Sequence, residues 1–547
     1  MPFLLFIAIP VLLSAGLYSP MLNGFFQQDE WFGLSEFIVH SHLSGWDLLD
    51  YFFRPSVAHF TPLTIAVQHG LFFLFGLNYK VWAIISLILH LAIVFLVGML
   101  FNKLLNNKIT TLVATLLFGL NFAGVQATTW VVANIATQGS VILALFSLVL
   151  FKKFLERKER KRYYWAIVLL IFSLLFKEIT IGVFLIYGLI LFWGDRGKNR
   201  KFSYVTLLVL GFYILLRLAM FFMPGRVNTA VVTQSQSSPK LVYNLVTIPL
   251  KSLSQSIIPV EILRYLSDVV TLRFPVSIRG EIGSPAFEIF SVKKVMEVFS
   301  LGFSGLLLFL FFHLIRYIKN KPYKGLMVIS IVWILVNSLI FSFAPERSGV
   351  VFTIDSRNLY FISIATSLLL VFLGWYSLTR SKLLGLIFLI VVLLTNVFYL
   401  QERIQNQNKM GILRKRILSQ IYKEHPVLPS EIIFFTQSNT SYYGLPEKEK
   451  IMPFQSGFGQ TLLGWYYSTE KLPQGFFENR LLWEITDQGY QKINGRGFGY
   501  FRDLDKLKVV VEVNKLSRES VIAYSWNSKT EAFIDNSQEI RDILFGK

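Results

Sequence analysis

Apolar runs of roughly 16–22 residues recur along the chain, and about 20 helical residues cross a bilayer core. They fall at about 3–22, 81–102, 109–122, 134–151, 163–176, 179–194, 202–222, 298–315, 325–344, 358–378 and 383–400. The shorter ones need tight packing or local bilayer thinning. A soluble enzyme of 547 residues carries more charge than the 16% here, and the mean hydropathy is +0.53. The 52 phenylalanines suit lipid-facing helices. With no cysteine, disulfides, thiolate metal sites and thiol nucleophiles are excluded. The run Met1–Leu22 lacks a basic leader and is expected to be a retained helix rather than a cleaved signal.

The formal charge is +20, but its placement speaks against nucleic acid. Lys and Arg collect in short loops between apolar runs, the pattern of cytoplasmic loops. The clearest is Lys152–Arg162. Others hold Arg196, Lys198, Arg200 and Lys201, then Arg316, Lys319, Lys321 and Lys324, then Arg380 and Lys382. Two basic loops on one side need an even number of crossings between them. Residues 163–194 therefore form a hairpin with Lys177-Glu178 at its outer tip. Parity predicts a polytopic α-helical membrane protein with about eleven helices, a cytoplasmic N-terminus and an extracytoplasmic tail. Nothing reads as an organelle address, so a bacterial plasma membrane is the expected setting.

The charges that orientation does not explain all fall on the outer side. Loop 23–80 is acidic, with Asp29, Glu30, Glu36, Asp47 and Asp50. Its stretch Thr61–Leu77 is polar at Gln68-His69 and is expected to lie at the interface rather than to span. Loop 223–297 carries an amphipathic stretch, Lys240–Ile258. A late outer loop holds Asp355 and Arg357. The membrane part is taken as residues 1–404. Residues 405–547 read as a small extracytoplasmic α+β domain, with short strands at Glu431–Thr436, Leu481–Ile485, Val509–Val513 and Val521–Trp526. The segment Gly495–Gly499 reads as a turn rather than a phosphate loop, since no helix with Lys-Ser/Thr follows it.

Several short motifs follow one another in a characteristic order. Ala58-His59-Phe60-Thr61-Pro62-Leu63-Thr64 precedes Leu74-Phe75-Gly76-Leu77-Asn78 and Leu87-Ile88-Leu89-His90. Asp29-Glu30 lies just after the first helix. Leu117-Phe118-Gly119 leads to Ala127-Thr128-Thr129-Trp130, Lys177-Glu178 follows an apolar run, and Ser356-Arg357-Asn358-Leu359-Tyr360 opens a late helix. The order resembles the transmembrane O-mannosyltransferase-like proteins of the GT-C glycosyltransferase superfamily, over roughly residues 20–195 and 350–375. Thr61 stands where an Arg or His is common in the family box, Asn121-Phe122 replaces a His-Pro, and no tetratricopeptide repeats follow.

The resemblance implies inverting transfer of a sugar from a polyprenyl-phosphate donor to an extracytoplasmic glycan, lipid or protein acceptor. Asp29 would be the general base, with Glu30 as a helper or metal partner. A carboxylate must take the proton of the attacking hydroxyl. The leaving phosphate needs cationic partners, for which Arg357 and Lys177 are the candidates. Arg54 and His59 read either as donor contacts or as interfacial anchors. Glu178 reads as the ion-pair partner of Lys177, and Tyr360 as a supporting group beside Arg357. His90, in mid-helix, reads first as a hydrogen bond to a neighbouring helix. No metal-ligand spacing is present beyond Asp29-Glu30, which leaves a divalent cation open as a cofactor. A lipid or polysaccharide flippase without chemistry is the rival. Such carriers commonly show internal repeats and interrupted helices, and neither is evident here. A membrane-anchored protein whose tail does the binding is the third reading.

Overall fold

The computed structural model describes residues 3–27, 30–54, 59–193, 199–221, 238–343, 351–440, 450–454, 458–466 and 488–546. Each apolar run lies on a helix. Eight helical segments are long and apolar enough to cross a membrane: Phe6–Asn23, Tyr79–Leu105, Asn134–Arg157, Arg200–Met220, Phe287–Tyr317, Lys321–Phe343, Ser356–Arg380 and Lys382–Glu424. Lys108–Gly119 and Phe122–Thr129 make a ninth if joined across their 46° bend. Arg160–Phe176 and Glu178–Trp193 are shorter; the first packs along Asn134–Arg157 and the second along Arg200–Phe221.

Local chemistry sets where these helices begin and how closely they pack. The Asn107 side chain accepts from the Thr110 N–H at the start of Lys108–Gly119, and the Asn320 side chain accepts from the Tyr323 N–H. At Gly139 a Cβ would lie 2.5 Å from the Phe176 ring, so the absent side chain lets Asn134–Arg157 and Arg160–Phe176 approach closely. Ser140 Oγ donates to the Lys177 carbonyl at 2.9 Å, and Ser173 Oγ donates to the Ser140 carbonyl at 2.8 Å. Ser173 and Thr180 hydroxyls meet at 2.7 Å. Small hydroxyl residues of this kind join helices where water is scarce.

The long loop after the first span is helical, over Glu30–His40, Gly45–Phe53 and Pro62–Phe75. Gln68, one of the polar residues that disqualify 61–77 as a span, docks it together with Thr64. Thr64 Oγ1 donates to the Phe176 carbonyl at 2.7 Å, and Gln68 Nε2 donates to the Val132 carbonyl at 2.7 Å.

The last long helix does not stop near residue 400, where its apolar character fades. It runs unbroken over 43 residues, Lys382–Glu424. At 1.5 Å per residue that is roughly 65 Å, about twice a bilayer core. Its continuation carries a five-stranded sheet of order β2-β3-β1-β4-β5, with β1 Glu431–Ser438, β2 Gly489–Ile493, β3 Arg496–Phe501, β4 Val521–Asn527 and β5 Ala532–Asp535. The central β1 is parallel to β3 and β4, and the two edge pairs are antiparallel hairpins.

Two of the four expected strands are found, as β1 and β4. Leu481–Ile485 lies outside the described residues. Val509–Val513 is instead the end of a helix, Leu504–Val513. The Asp503 side chain caps it by accepting from the Asp505 and Lys506 N–H groups at 3.0 and 3.2 Å, and Leu507 and Val511 bury one face. Capping and burial thus override the β-branched run. The turn expected at 495–499 is confined to Asn494-Gly495, both at positive φ, and Arg496 onward is strand β3.

The sheet unit and the first loop share one core. Trp31, Leu34 and Ile38 pack with Ile404, Leu418, Phe434, Leu462 and Leu463. Arg414, 2% exposed, crosses this junction. Its Nε donates to the Pro453 carbonyl at 2.9 Å and its Nη1 to Gln27 Oε1 at 3.1 Å.

Candidate functional site

The hydroxyl network of Ser140, Ser173 and Thr180 fixes the backbone at Lys177, and its side chain turns back to donate to Thr137 Oγ1 at 2.9 Å. Lys177 keeps some accessible surface but is surrounded by protein. Burial, reinforced by the Arg357 charge, pushes its ammonium down to about 7, against the opposing pull of Glu178 and Asp355. Arg357, 180 positions later in the chain, is therefore within electrostatic reach of it.

Arg357 opens the helix Ser356–Arg380. Its guanidinium stacks over the Trp130 ring at 4.7 Å and lies 3.4 Å from Asp355 Oδ2. Its backbone N–H donates to Gln126 Oε1 at 3.4 Å. The ring restrains a planar cation while leaving its edge donors for a ligand.

Next to Lys177 sits Glu178, which is buried and fully engaged. Oε1 accepts from the Phe60 N–H at 2.9 Å and lies 3.5 Å from Arg217 Nη2, while Oε2 is 3.1 Å from His59 Nδ1. Glu178 is therefore an anchor that gathers a helix residue and a loop residue beside Lys177; the expected ion pair with Lys177 is not formed, since Lys177 bonds Thr137. Arg217, near the end of the helix Arg200–Phe221, belongs to this group. Counting His59 as neutral, Lys177, Arg217 and Arg357 outnumber Glu178 and Asp355. The region suits an anion.

The acid pair is divided. Asp29 lies outside the described residues. Glu30 is 2% exposed, and both its oxygens hold backbone: Oε2 accepts from the Gln27 N–H and Oε1 from the Val132 N–H, each at 2.5 Å. That second bond ties the start of Glu30–His40 two residues from Trp130. Gln27 in turn accepts from Arg414. Glu30 is thus a positioning group.

The remaining candidates fall elsewhere. Arg54 pairs with Asp50 at 3.3 Å, both exposed, and its charge is felt by Glu36 and His40. His90 and Tyr360 meet each other: Tyr360 Oη and His90 Nδ1 are 2.8 Å apart, both fully buried, with Tyr18 against the imidazole. This is a bond between helices, as the mid-helix position of His90 suggested.

Sequence reading missed the group that holds the chain before Arg357. On the helix Ser238–Gln255, Lys251 is buried and lies 2.5 Å from Glu297, and it also donates to the Val351 carbonyl. Gln255 brackets the next residues, donating to the Phe352 carbonyl at 3.1 Å and accepting from the Ile354 N–H at 2.9 Å. The spacing of Asn244, Lys251 and Gln255 on one face was the available signal. Among the described residues, one trio has ligand atoms close enough for a cation, Glu424, His425 and Asp535, within 4.8 Å of one another. It lies on the sheet unit and shares no residue with the anion region.

The chain matches no protein-family model and no curated protein.

Proposed function

We propose that this chain is a membrane glycosyltransferase of the GT-C type, which moves a sugar from a polyprenyl-phosphate donor to an extracytoplasmic acceptor. The observation that carries the reading is that Lys177, bonded to Thr137, and Arg357, stacked on Trp130 seven residues before Thr137, lie within electrostatic reach of each other. Both were chosen from sequence as phosphate partners, and they lie 180 positions apart in the chain. In this reading the Lys177 end of the bundle faces outward, the chain crosses about eleven times, and the basic loops lie in the cytoplasm.

The acceptor hydroxyl attacks the anomeric carbon and gives its proton to Asp29. The bond from that carbon to the donor phosphate oxygen breaks, and polyprenyl phosphate leaves with the electron pair. Lys177 and Arg357 stabilise the charge that develops on that oxygen. Attack and departure occur on opposite faces of the sugar, so the anomeric configuration inverts. Glu178 keeps His59 and Arg217 at the rim, and Glu30 keeps the loop that bears Asp29 against the Trp130 segment.

The test is transfer from a polyprenyl-phosphate-linked sugar to an acceptor in membranes that carry the protein. Asp29→Asn is expected to abolish transfer at unchanged expression. Substantial remaining transfer would remove Asp29 as base. Normal lipid-linked sugar movement across vesicles, without any transfer by the parent protein, would favour the flippase reading.

A further inference from the structure

At the far end of the bundle from Lys177, five helices leave a cavity of about 410 Å³ between them. Its walls are apolar, with Leu100, Phe151, Ile186, Tyr187, Trp333 and Leu368 among them. The volume falls within the range of ligand pockets, about 300–1,000 Å³. Apolar cavities do not hold water, and an empty one forfeits dispersion contacts along its whole lining. An occupant must therefore be apolar in its body, and a bilayer supplies such chains at hand.

The mouth has a different character. Lys152 and Glu156 line it and pair at 2.6 Å. Lys103, next to the wall residue Leu104, lies within electrostatic reach of Lys152, Lys153 and Arg162. Arg162 is paired with Glu159 at 2.6 Å, so Lys103, Lys152 and Lys153 against Glu156 leave a net positive rim over an apolar interior. We infer that this cavity is a binding site for an acidic phospholipid, with an acyl chain between the helices and the headgroup phosphate on Lys103, Lys152 and Lys153. Charge complementarity selects the headgroup, since a zwitterionic lipid gains nothing from the excess of lysines. The lysine stems extend the apolar wall while their ammonium groups reach the phosphate. The inference concerns the end opposite the proposed donor site and stands independently of the glycosyltransferase reading.

The test uses the full-length protein in detergent, with thermal shift and native mass spectrometry. The probes are phosphatidylglycerol and phosphatidylcholine with identical acyl chains, and a polyprenyl phosphate. Phosphatidylglycerol is expected to bind about tenfold or more tighter than phosphatidylcholine. The triple change Lys103→Gln, Lys152→Gln, Lys153→Gln should erase that preference and leave weak binding of both. Ala365→Phe should fill the cavity and remove retained lipid. Leu104→Trp, on the half-buried rim, provides the same block if Ala365→Phe does not fold. Equal binding of the two phospholipids would overturn the inference. So would an undiminished preference in the filled-cavity variants, or stronger retention of polyprenyl phosphate than of phosphatidylglycerol.

Discussion

Arg414 donates to Gln27 Oε1 at 3.1 Å across 387 positions of sequence. The bond joins the extension of the last long helix to the loop that begins after the first. Gln27 is in turn bonded through its backbone to Glu30, and Glu30 to Val132. The sheet unit thus braces the segment that carries the proposed base.

Arg414→Leu removes both bonds and leaves the Pro453 carbonyl and Gln27 Oε1 buried without that donor. A loss of about 1–3 kcal/mol per unsatisfied group is expected. Thermal unfolding in detergent measures it. Hydrogen exchange should rise in residues 25–40, and Arg414→Lys should restore only part of the protection.

Glu178→Ala leaves the buried Phe60 N–H without its acceptor and takes a carboxylate from the half-buried Arg217. The expected cost is about 1–3 kcal/mol, as for a buried group left unsatisfied. Adding Arg217→Met should cost less than the sum of the two single changes. An additive double mutant in thermal unfolding would show that Glu178 does not hold Arg217.

Lys177 has an ammonium pushed down to about 7, so it is charged below that pH and neutral above it. A donor phosphate favours the charged form. The KM for a polyprenyl-phosphate-linked sugar is therefore expected to rise as pH passes upward through about 7. Lys177→Arg stays charged and should flatten the profile, and Lys177→Met should raise KM across the whole range.

Glu36, on the helix Glu30–His40, has its carboxyl raised to about 7 by burial, with Arg54 opposing. The unfolded chain gives up this proton near the usual carboxylate value. The favourable contribution is therefore present at low pH and lost as pH rises from the unfolded value to about 7. Glu36→Gln should melt higher than the parent at about pH 8, and the gain should vanish at about pH 4.5. A constant difference across that range would exclude titration as the cause.

What could be read in the sequence follows from what each signal encodes. Length and hydropathy mark helices directly, so every apolar run lies on one. The extension past residue 400 escaped because its buried seam is not apolar throughout. Leu400, Gln407, Arg414 and Ile421 repeat every seven residues, as do Ile404, Gly411 and Leu418. Gln407, Gly411 and Arg414 interrupt the hydrophobic pattern at positions that tertiary bonds require. At the site, Lys177 and Arg357 stood out as charges that topology did not explain. Lys251 and Gln255 did not, because a buried polar residue is recognised by its partner, and Val351 and Ile354 lie about 100 positions away. Glu30 was read from the sequence as a helper of Asp29, and in the fold both its oxygens accept backbone N–H groups.

The unbroken helix Lys382–Glu424 makes the sheet unit a rigid rider on a membrane element. A helix answers a change in bilayer thickness chiefly by tilting. Over roughly 65 Å, even a small tilt swings the far end by several ångströms, and Arg414 carries that swing to Gln27. In such a geometry a change in the thickness of the surrounding membrane would be felt at Gln27 and the loop that begins there.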